Sequence, residues 1–410
     1  MALPSLLAPF EVRSFRFQWP ADMLTSWANE MEVLILGWYI LTTTGSVVLL
    51  TVFSSMQYAG TLLAPVFGLA GDRLGHRNVL CVMRTLYGTA ALLLTSLIWA
   101  GAINPWIIFA VAGTSGLVRL SDLAMRNALV ANTMPQDRLM AAMGVARTTT
   151  DSARIFGSVT GASLFALLGM GRAYMAVAAF YFVALLLTFG VSAGNSGERP
   201  ARASFWRDLR EGMTFIAESP QSLAGMWLAF LVNVTAFPLT IGLLPYVARE
   251  IYHFDQTGLS TLVASFAGGA LTGSIAISAV GRSLRPARMM LIFSIVWHVL
   301  LLGFVWMPGP NGGRVLLLLA GCAQSFSMVP LAVMLLHTAG SRFRGQVMGV
   351  RMFAVYGLPI GLIAAGLLIE RIGFVATASG YCVVGTILTV VIGLRWRGAL
   401  WPVEAPANAR

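Results

Sequence analysis

The sequence predicts an all-α integral membrane protein with twelve transmembrane helices in two pseudo-symmetric six-helix halves. Three observations carry that expectation. Of the 410 residues, 57% are hydrophobic and only 10% charged, against about 25% charged in soluble domains. Apolar windows of about twenty residues, the length that crosses a bilayer, recur along the whole chain. The basic residues collect in alternate loops between those windows, the bias that sets orientation in a membrane.

The windows fall at 19–41, 46–70, 78–100, 105–131, 140–168, 172–192, 221–248, 258–280, 286–307, 313–338, 345–370 and 374–395. Loops after even-numbered spans hold Arg73/Arg77, Arg138, Arg199/Arg202/Arg207/Arg210, Arg282/Arg285/Arg288 and Arg342/Arg344. Loops after odd-numbered spans hold only Arg172, Arg249, Arg314 and Arg371. Both termini are therefore expected on the cytoplasmic side. The longest polar stretch, Ser192 to Pro220, divides the chain into a first half at 1–192, a linker at 193–220 and a second half at 221–410. Within the linker, Phe205, Trp206, Leu209, Met213 and Ile216 recur at helical spacing, with Arg207, Arg210 and Glu211 opposite. That pattern predicts an amphipathic helix on the cytoplasmic membrane face. The first apolar stretch is broken by Glu11, Arg13 and Arg16 and precedes no small-residue cleavage site, so a cleavable signal peptide is not expected.

Several chemistries are excluded or disfavoured. All 27 basic residues are arginine, so there is neither a Walker A lysine nor a Schiff-base lysine. The net charge of +11 sits in short loops, where topology explains it better than nucleic acid does. Cys81, Cys322 and Cys382 lie singly in apolar runs without metal-ligand spacing, as packing residues do. No cofactor and no metal are expected.

The stretch Gly68-Leu69-Ala70-Gly71-Asp72-Arg73-Leu74-Gly75-His76-Arg77 joins the second and third windows as a tight, charged hairpin. Gly68 and Gly71 permit close backbone approach and Gly75 supplies the turn. Arg73, His76 and Arg77 suit the cytoplasmic side, and Asp72 can cap a helix or pair with an arginine. An ordinary basic loop with chance glycines is the plain alternative. The spacing G-x-x-x-D-R-x-G-x-R resembles the loop signature between helices 2 and 3 of the major facilitator superfamily. The resemblance implies that Gly68, Gly71, Asp72, Arg73, Gly75 and Arg77 form a gate latch between the halves.

An internal echo supports duplication: Met143-Gly144-Val145 returns as Met348-Gly349-Val350, 205 residues later, with Gly161 and Gly366 at the same offset. Duplicated halves are characteristic of such transporters. The segments Ala124–Val130, Met134-Pro135, Asp137-Arg138-Leu139 and Ala153–Ala162 look like the branch containing enterobactin and drug exporters, the type 3 drug:proton antiporters. Leu244-Pro245, Gly258 and Gly268-Gly269-x-x-x-Gly273 fit the same branch. Where such exporters often carry G-P-x-x-G-G, this chain reads Gly157-Ser158-Val159-Thr160-Gly161-Ala162.

Charges within the spans are informative because each costs about 2.5–3.5 kcal/mol on insertion scales. Span 4 carries Arg119, Asp122 and Arg126, and span 5 carries Arg147, Asp151 and Arg154, each trio on one helical face. Counting outward from the turn near Pro135 pairs Asp122 with Arg147 and Arg119 with Asp151, leaving Arg126 and Arg154 in surplus. A purely structural ladder of ion pairs fits as well. In span 1, Ser26, Asn29 and Glu30 share one side, whereas Glu32 points elsewhere. A carboxyl withdrawn from water favours its neutral form. Glu30 is thus the first proton-coupling candidate, followed by Asp22, Glu32 and Asp151. A salt bridge from Glu30 to Arg126 or Arg154 is the competing expectation.

The second half is poor in deep charges. Asn29, Phe230, Asn233, Phe237, Gln324, Ser327 and Tyr356 are candidates for lining a substrate cavity, although aromatic residues in apolar helices are usually packing. His298 reads as a hydrogen-bonded packing residue. Pro238 and Pro245 predict bends in span 7, and Gly269-x-x-x-Gly273 and Gly357-x-x-x-Gly361 predict close helix contacts. Gly113-Thr114-Ser115-Gly116 matches the G-x-S-G of intramembrane serine proteases with His298 as the one mid-span histidine, but small-residue packing explains it better. The expected function is therefore non-enzymatic: secondary active transport, as a proton-coupled exporter of a small amphipathic molecule. An uptake symporter or facilitator is the alternative. The expected partners are a small-molecule substrate, protons and the lipid bilayer of a bacterial cytoplasmic membrane, with no nucleic acid and a monomeric state.

Overall fold

The computed structural model describes residues 8–58, 60, 67, 70–71, 73–192, 205–280 and 285–401. Its elements are helical, and no strand occurs among the described residues. In chain order they are α1 (Arg13–Thr44), α2 (Val47–Met56), α3 (His76–Trp99), α4 (Pro105–Thr133), α5 (Gln136–Phe189) and α6 (Phe205–Glu218), followed by α7 (Pro220–Thr235), α8 (Gln256–Val280), α9 (Pro286–Val305), α10 (Pro310–Ala354), α11 (Gly357–Ile372) and α12 (Phe374–Arg395). Among the described residues, nine helices are long and apolar enough to cross a membrane. One of them, α5, breaks at Gly169 into the expected fifth and sixth spans. With α1 and the α2 segment added, the architecture agrees with the twelve-span expectation.

Local sequence sets where the helices begin. Asn104 accepts a hydrogen bond from Ile107 N at 3.0 Å ahead of Pro105, and Ser219 caps α7 ahead of Pro220. Proline also opens α9 and α10; its fixed φ suits a first helical turn, where the missing N–H goes unnoticed. The first span starts at Arg13 rather than near residue 19. The reason is aromatic: Phe10 packs edge-on against Phe15 and Trp19, each with ring centres 5.2 Å apart, on a small core of Val130, Met134 and Ala142. In the seventh span, regular α-helix stops at Thr235 and gives way to wide π-helical turns at Pro238–Gly242 and Val247–Ile251, as prolines lacking an N–H would impose.

The chain forms two compact units, one of Met1–Ala201 with Leu243–Ala267 and the other of Arg202–Gly242 with Gly268–Arg410. In the first unit α1 packs along α5. A Cβ on Gly157 would lie 3.0 Å from Trp27 O, and one on Gly161 would lie 3.0 Å from Met31 Cα. In the second unit Gly357 and Gly361 abut the backbone carbonyls of Phe230 and Val234 on α7 in the same manner. The contact equivalence is thus Gly161 with Gly361, an offset of 200, and not Gly161 with Gly366. The five residues lost relative to the Met-Gly-Val offset fall where α10 gives way to α11. Beyond these contacts Gly169 (φ 76°, ψ 170°) and Gly373 (φ 82°, ψ 165°) turn the chain through the same left-sided conformation, which a Cβ disfavours.

The linker helix α6 forms as expected and packs on α10. Gly212 meets the backbone of Gln346, Phe215 stacks on Phe343 at 4.9 Å, and Gln346 donates to Glu211 at 3.1 Å.

Replacing Gly361 by Val should lower the stability of the detergent-solubilised protein by about 1–3 kcal/mol through overpacking. Gly349→Ala, where a Cβ meets open space, should leave it within about 0.5 kcal/mol. Thermal unfolding of the two variants in parallel checks this.

Candidate functional site

The first unit carries its charges as a joined set. Asp22 on α1 sits between two arginines: Arg84 of α3 donates Nη2–H to its Oδ1, and Arg126 of α4 approaches the same oxygen at 3.7 Å. Arg126 also pairs with Asp122 one turn earlier on α4 and donates to Ser26 Oγ at 2.8 Å and Asp22 O at 3.1 Å. Gln18, one turn before Asp22, donates to the Arg126 carbonyl at 3.0 Å. Arg84 is fully buried and reaches Thr188 Oγ1 and Ala184 O on the second limb of α5. One carboxylate thereby ties together α1, α3 and α4, and through Arg84 it also reaches α5.

A cavity of about 110 Å³ opens beside this set, lined by Trp19, Asp22, Arg126, Asn127, Arg147 and Thr149 among others. Trp19 is held there by donating to Thr149 Oγ1 at 2.8 Å. Gln18 Oε1, Asp122 Oδ1 and Arg126 Nε are buried and have no hydrogen-bond partner among the described residues. Buried polar atoms are ordinarily satisfied, so Arg126 Nε, which belongs to a cavity-lining residue, is suited to water or to a polar group of a bound molecule.

One expected pairing is corrected. Asp122 pairs with Arg126 instead of Arg147, because an i,i+4 partner on its own helix is nearer than one across an interface. Arg119 meets Glu30 at 3.6 Å and donates to Gln57 Oε1 at 2.8 Å, and Arg126 is not in surplus. The Asp151 side chain lies outside the described ones. Arg147 lines the cavity, while Arg154 falls within electrostatic range of Tyr58, together with Arg119 and Glu30. Sequence reasoning missed Arg84 altogether. Its signal was available: an arginine in the middle of an otherwise apolar span has to find an acid.

The span 1 acids divide as the two-residue spacing requires. Glu30 and Arg119 are each about one quarter exposed. Glu32 is buried, and Tyr181 Oη lies 2.8 Å from both its Oε2 and Asn29 Oδ1. Asn29 therefore faces the α1–α5 seam with at least one polar atom.

At the hairpin, Gly68 and Asp72 lie outside the described residues. Gly75 precedes α3 with φ 85°, as a turn glycine should. A Cβ on Gly71 would come within 2.8 Å of Met125 Sδ. Arg73 is exposed. His76 is buried with Nδ1 3.1 Å from Asn132 Nδ2, and Arg77 donates to Val191 O at 3.2 Å at the end of the sixth span, where a helix terminus favours a cation.

In the second unit the α6, α7 and α10 helices enclose an apolar groove of about 340 Å³ that includes Met213, Trp227, Phe230 and Phe353. Of the cavity candidates, Phe230 lines it. Phe237 packs edge-on against Trp297 at 5.0 Å, Ser327 is buried and donates to Met290 O, and Asn233 donates to Ala229 O on its own helix. Those three serve packing or local bonding. Gln324 has a buried Oε1 with no partner among the described residues, and Tyr356 stands beside Phe353. His298 is buried between Ser294 O and Thr235 Oγ1, both 2.8 Å away, the packing role expected of it. Gly113 and Gly116 lie against Met56, so the G-x-S-G tetrapeptide sits at a helix contact. Among the described residues no three His, Cys, Asp or Glu side chains gather as a metal site.

Multiple apolar spans, repeated glycine contacts and charges held inside the spans define a polytopic membrane protein. The profile of the Major Facilitator Superfamily matches residues 21–364, and the chain belongs to that family. It is 21% identical over 353 residues to the multidrug resistance protein MdtG of Salmonella arizonae, covering 80% of this chain and 85% of that one. It is 24% identical over 362 residues to the uncharacterised MFS-type transporter YfiS of Bacillus subtilis, covering 81% and 80%. The crystal structure of a D-xylose-proton symporter superposes with a TM-score of 0.72 at 11% identity, over 92% of this chain and 97% of that one.

Arg84→Ala should destabilise the protein by up to about 3 kcal/mol, since it leaves Asp22 with only the longer contact to Arg126. The Asp22→Asn/Arg84→Met double variant should recover more than half of that loss, as read by thermal unfolding in detergent.

Proposed function

We propose that this protein is a proton-coupled exporter of a small amphipathic molecule, in a bacterial cytoplasmic membrane with both termini inside. One observation carries the proton assignment. Glu30 is held by a long ion pair at 3.6 Å and remains partly exposed, whereas Asp22 and Asp122 are clamped by buried arginines. A loosely paired carboxyl can take up a proton and release Arg119 without dismantling the helix packing. The cavity of the first unit, lined by Trp19 and Leu123 as well as Asp22, Arg126 and Arg147, offers both apolar and charged surface to an amphipathic compound. Export draws its support from the likeness to a multidrug resistance protein.

Uptake with protons is the second reading, favoured by the fold shared with a sugar-proton symporter. Direction depends on coupling and gradients more than on fold. The hairpin Asp72 and Arg73 serve as the gate latch in either case. The proposed protein works as a monomer.

Purified protein in weakly buffered detergent should release protons when an amphipathic substrate is added, and Glu30→Gln should abolish that release while retaining binding. Binding without any proton change in the parent protein would move the assignment to a facilitator. Asp72→Asn should fold and reach the membrane normally yet lose at least about tenfold in transport rate in vesicles. Normal transport by that variant removes the latch role.

A further inference from the structure

Tyr181 Oη lies 2.8 Å from Asn29 Oδ1 and 2.8 Å from Glu32 Oε2. A phenol has one hydrogen and can donate it once, so the arrangement needs one further hydrogen to satisfy both contacts. There are two ways to supply it. Glu32 can be protonated, donating Oε2–H to Tyr181 Oη while Tyr181 donates to Asn29 Oδ1. Alternatively the Asn29 amide turns by half a rotation, Nδ2–H donates to Tyr181 Oη, and Tyr181 donates to the ionised Glu32. The same heavy-atom positions serve both states, which differ by one proton and by the direction of the chain of hydrogen bonds.

The surroundings keep this trio apart from the arginines. Glu32 is 8% exposed, Tyr181 is fully buried, and among the described residues no arginine lies in ion-pair range of Glu32. The groups facing Glu32 are Tyr181 and Tyr174 from the second limb of α5, Tyr87 from α3, and Arg119 of α4 at longer range; Glu30 is its charged neighbour on α1. The Tyr87 ring lies tilted against that of Tyr181, with ring centres 5.3 Å apart. A carboxyl without a cation in a dry site is where a neutral, protonated form is easiest to hold.

We propose that Glu32, Tyr181 and Asn29 form a proton-dependent relay, in which protonation of Glu32 reverses the hydrogen-bond chain and exchanges donor for acceptor at Asn29. No covalent bond is broken: one proton from water joins Oε2, the Tyr181 hydroxyl rotates from Glu32 to Asn29, and the Asn29 amide turns. Asn29 directly precedes Glu30 on α1. In that respect the relay deepens the proton-coupled reading and rests on it for its use.

Infrared difference spectra of the purified full-length protein, taken between about pH 6 and about pH 9, test the relay without any ligand. The expected result is a protonated-carboxyl C=O band that is lost in Glu32→Gln. In Tyr181→Phe, which keeps the ring packing, the band should move to higher frequency because the acid has lost its acceptor. A band that survives intact in Glu32→Gln, or one that does not move in folded Tyr181→Phe, overturns the relay. Failure of the proton-coupled reading shows separately, as parent protein that binds substrate without releasing protons while both infrared results stand.

Discussion

A single carboxylate shared by two guanidiniums sets the terms for the first unit. Hydrocarbon offers no water to a stray charge, so every ionised group in a span must be answered from within the protein. Asp22 answers Arg84 and Arg126, and Arg126 in turn holds Asp122. Arg84 continues the connection to Thr188 and Ala184. Removing any member exposes the others to an apolar surround, which is why helices α1, α3, α4 and the second limb of α5 are bound into one body at this depth. The Glu30–Arg119 contact is made on different terms, longer and partly wet, and so is free to change without disturbing that body.

The two units share a plan but differ in chemistry. Each has two glycines set against a neighbouring backbone, at Gly157 and Gly161 in one and at Gly357 and Gly361 in the other, and each turns at a positive-φ glycine a few residues on. Each also has a concavity next to its Met-Gly-Val segment. In the first unit polar and charged side chains from Asp22 to Arg147 line it; in the second, Met213, Trp227, Phe230 and Phe353 do. The two concavities thus differ in charge: Asp22, Arg126 and Arg147 line the first, and among the described residues no charged side chain lines the second.

Much of the fold was legible because its main determinant, the recurrence of apolar windows, is a long-range average along the chain. The close contacts at Gly269 and at Gly357 and Gly361 were legible for a similar reason, since a small residue repeated every four positions has little else to do on an apolar helix. The ion partners were less legible. Counting outward from Pro135 treats helices 4 and 5 as matched straight rods, and it overlooked that Asp122 and Arg126 are already one turn apart. Arg84 escaped notice because it stands alone in its span, where only its depth in an apolar run, and no neighbouring charge, flags it. Residue type also says little about direction: Phe237 and Ser327 look like cavity residues, yet they point into packed seams. For Asn29 and Glu32 the spacing was legible, but only the fold brings Tyr181 between them.

The absence of lysine has a consequence inside the buried network. A guanidinium keeps its proton under all conditions a cell meets, so the positive charge contributed by Arg84, Arg119 and Arg126 is a fixed quantity of the fold. Only the carboxyls beside them can vary. The network is therefore electrically one-directional: it can gain positive charge when an acid is neutralised, and it can return to its starting value, but it has no means of losing a cation.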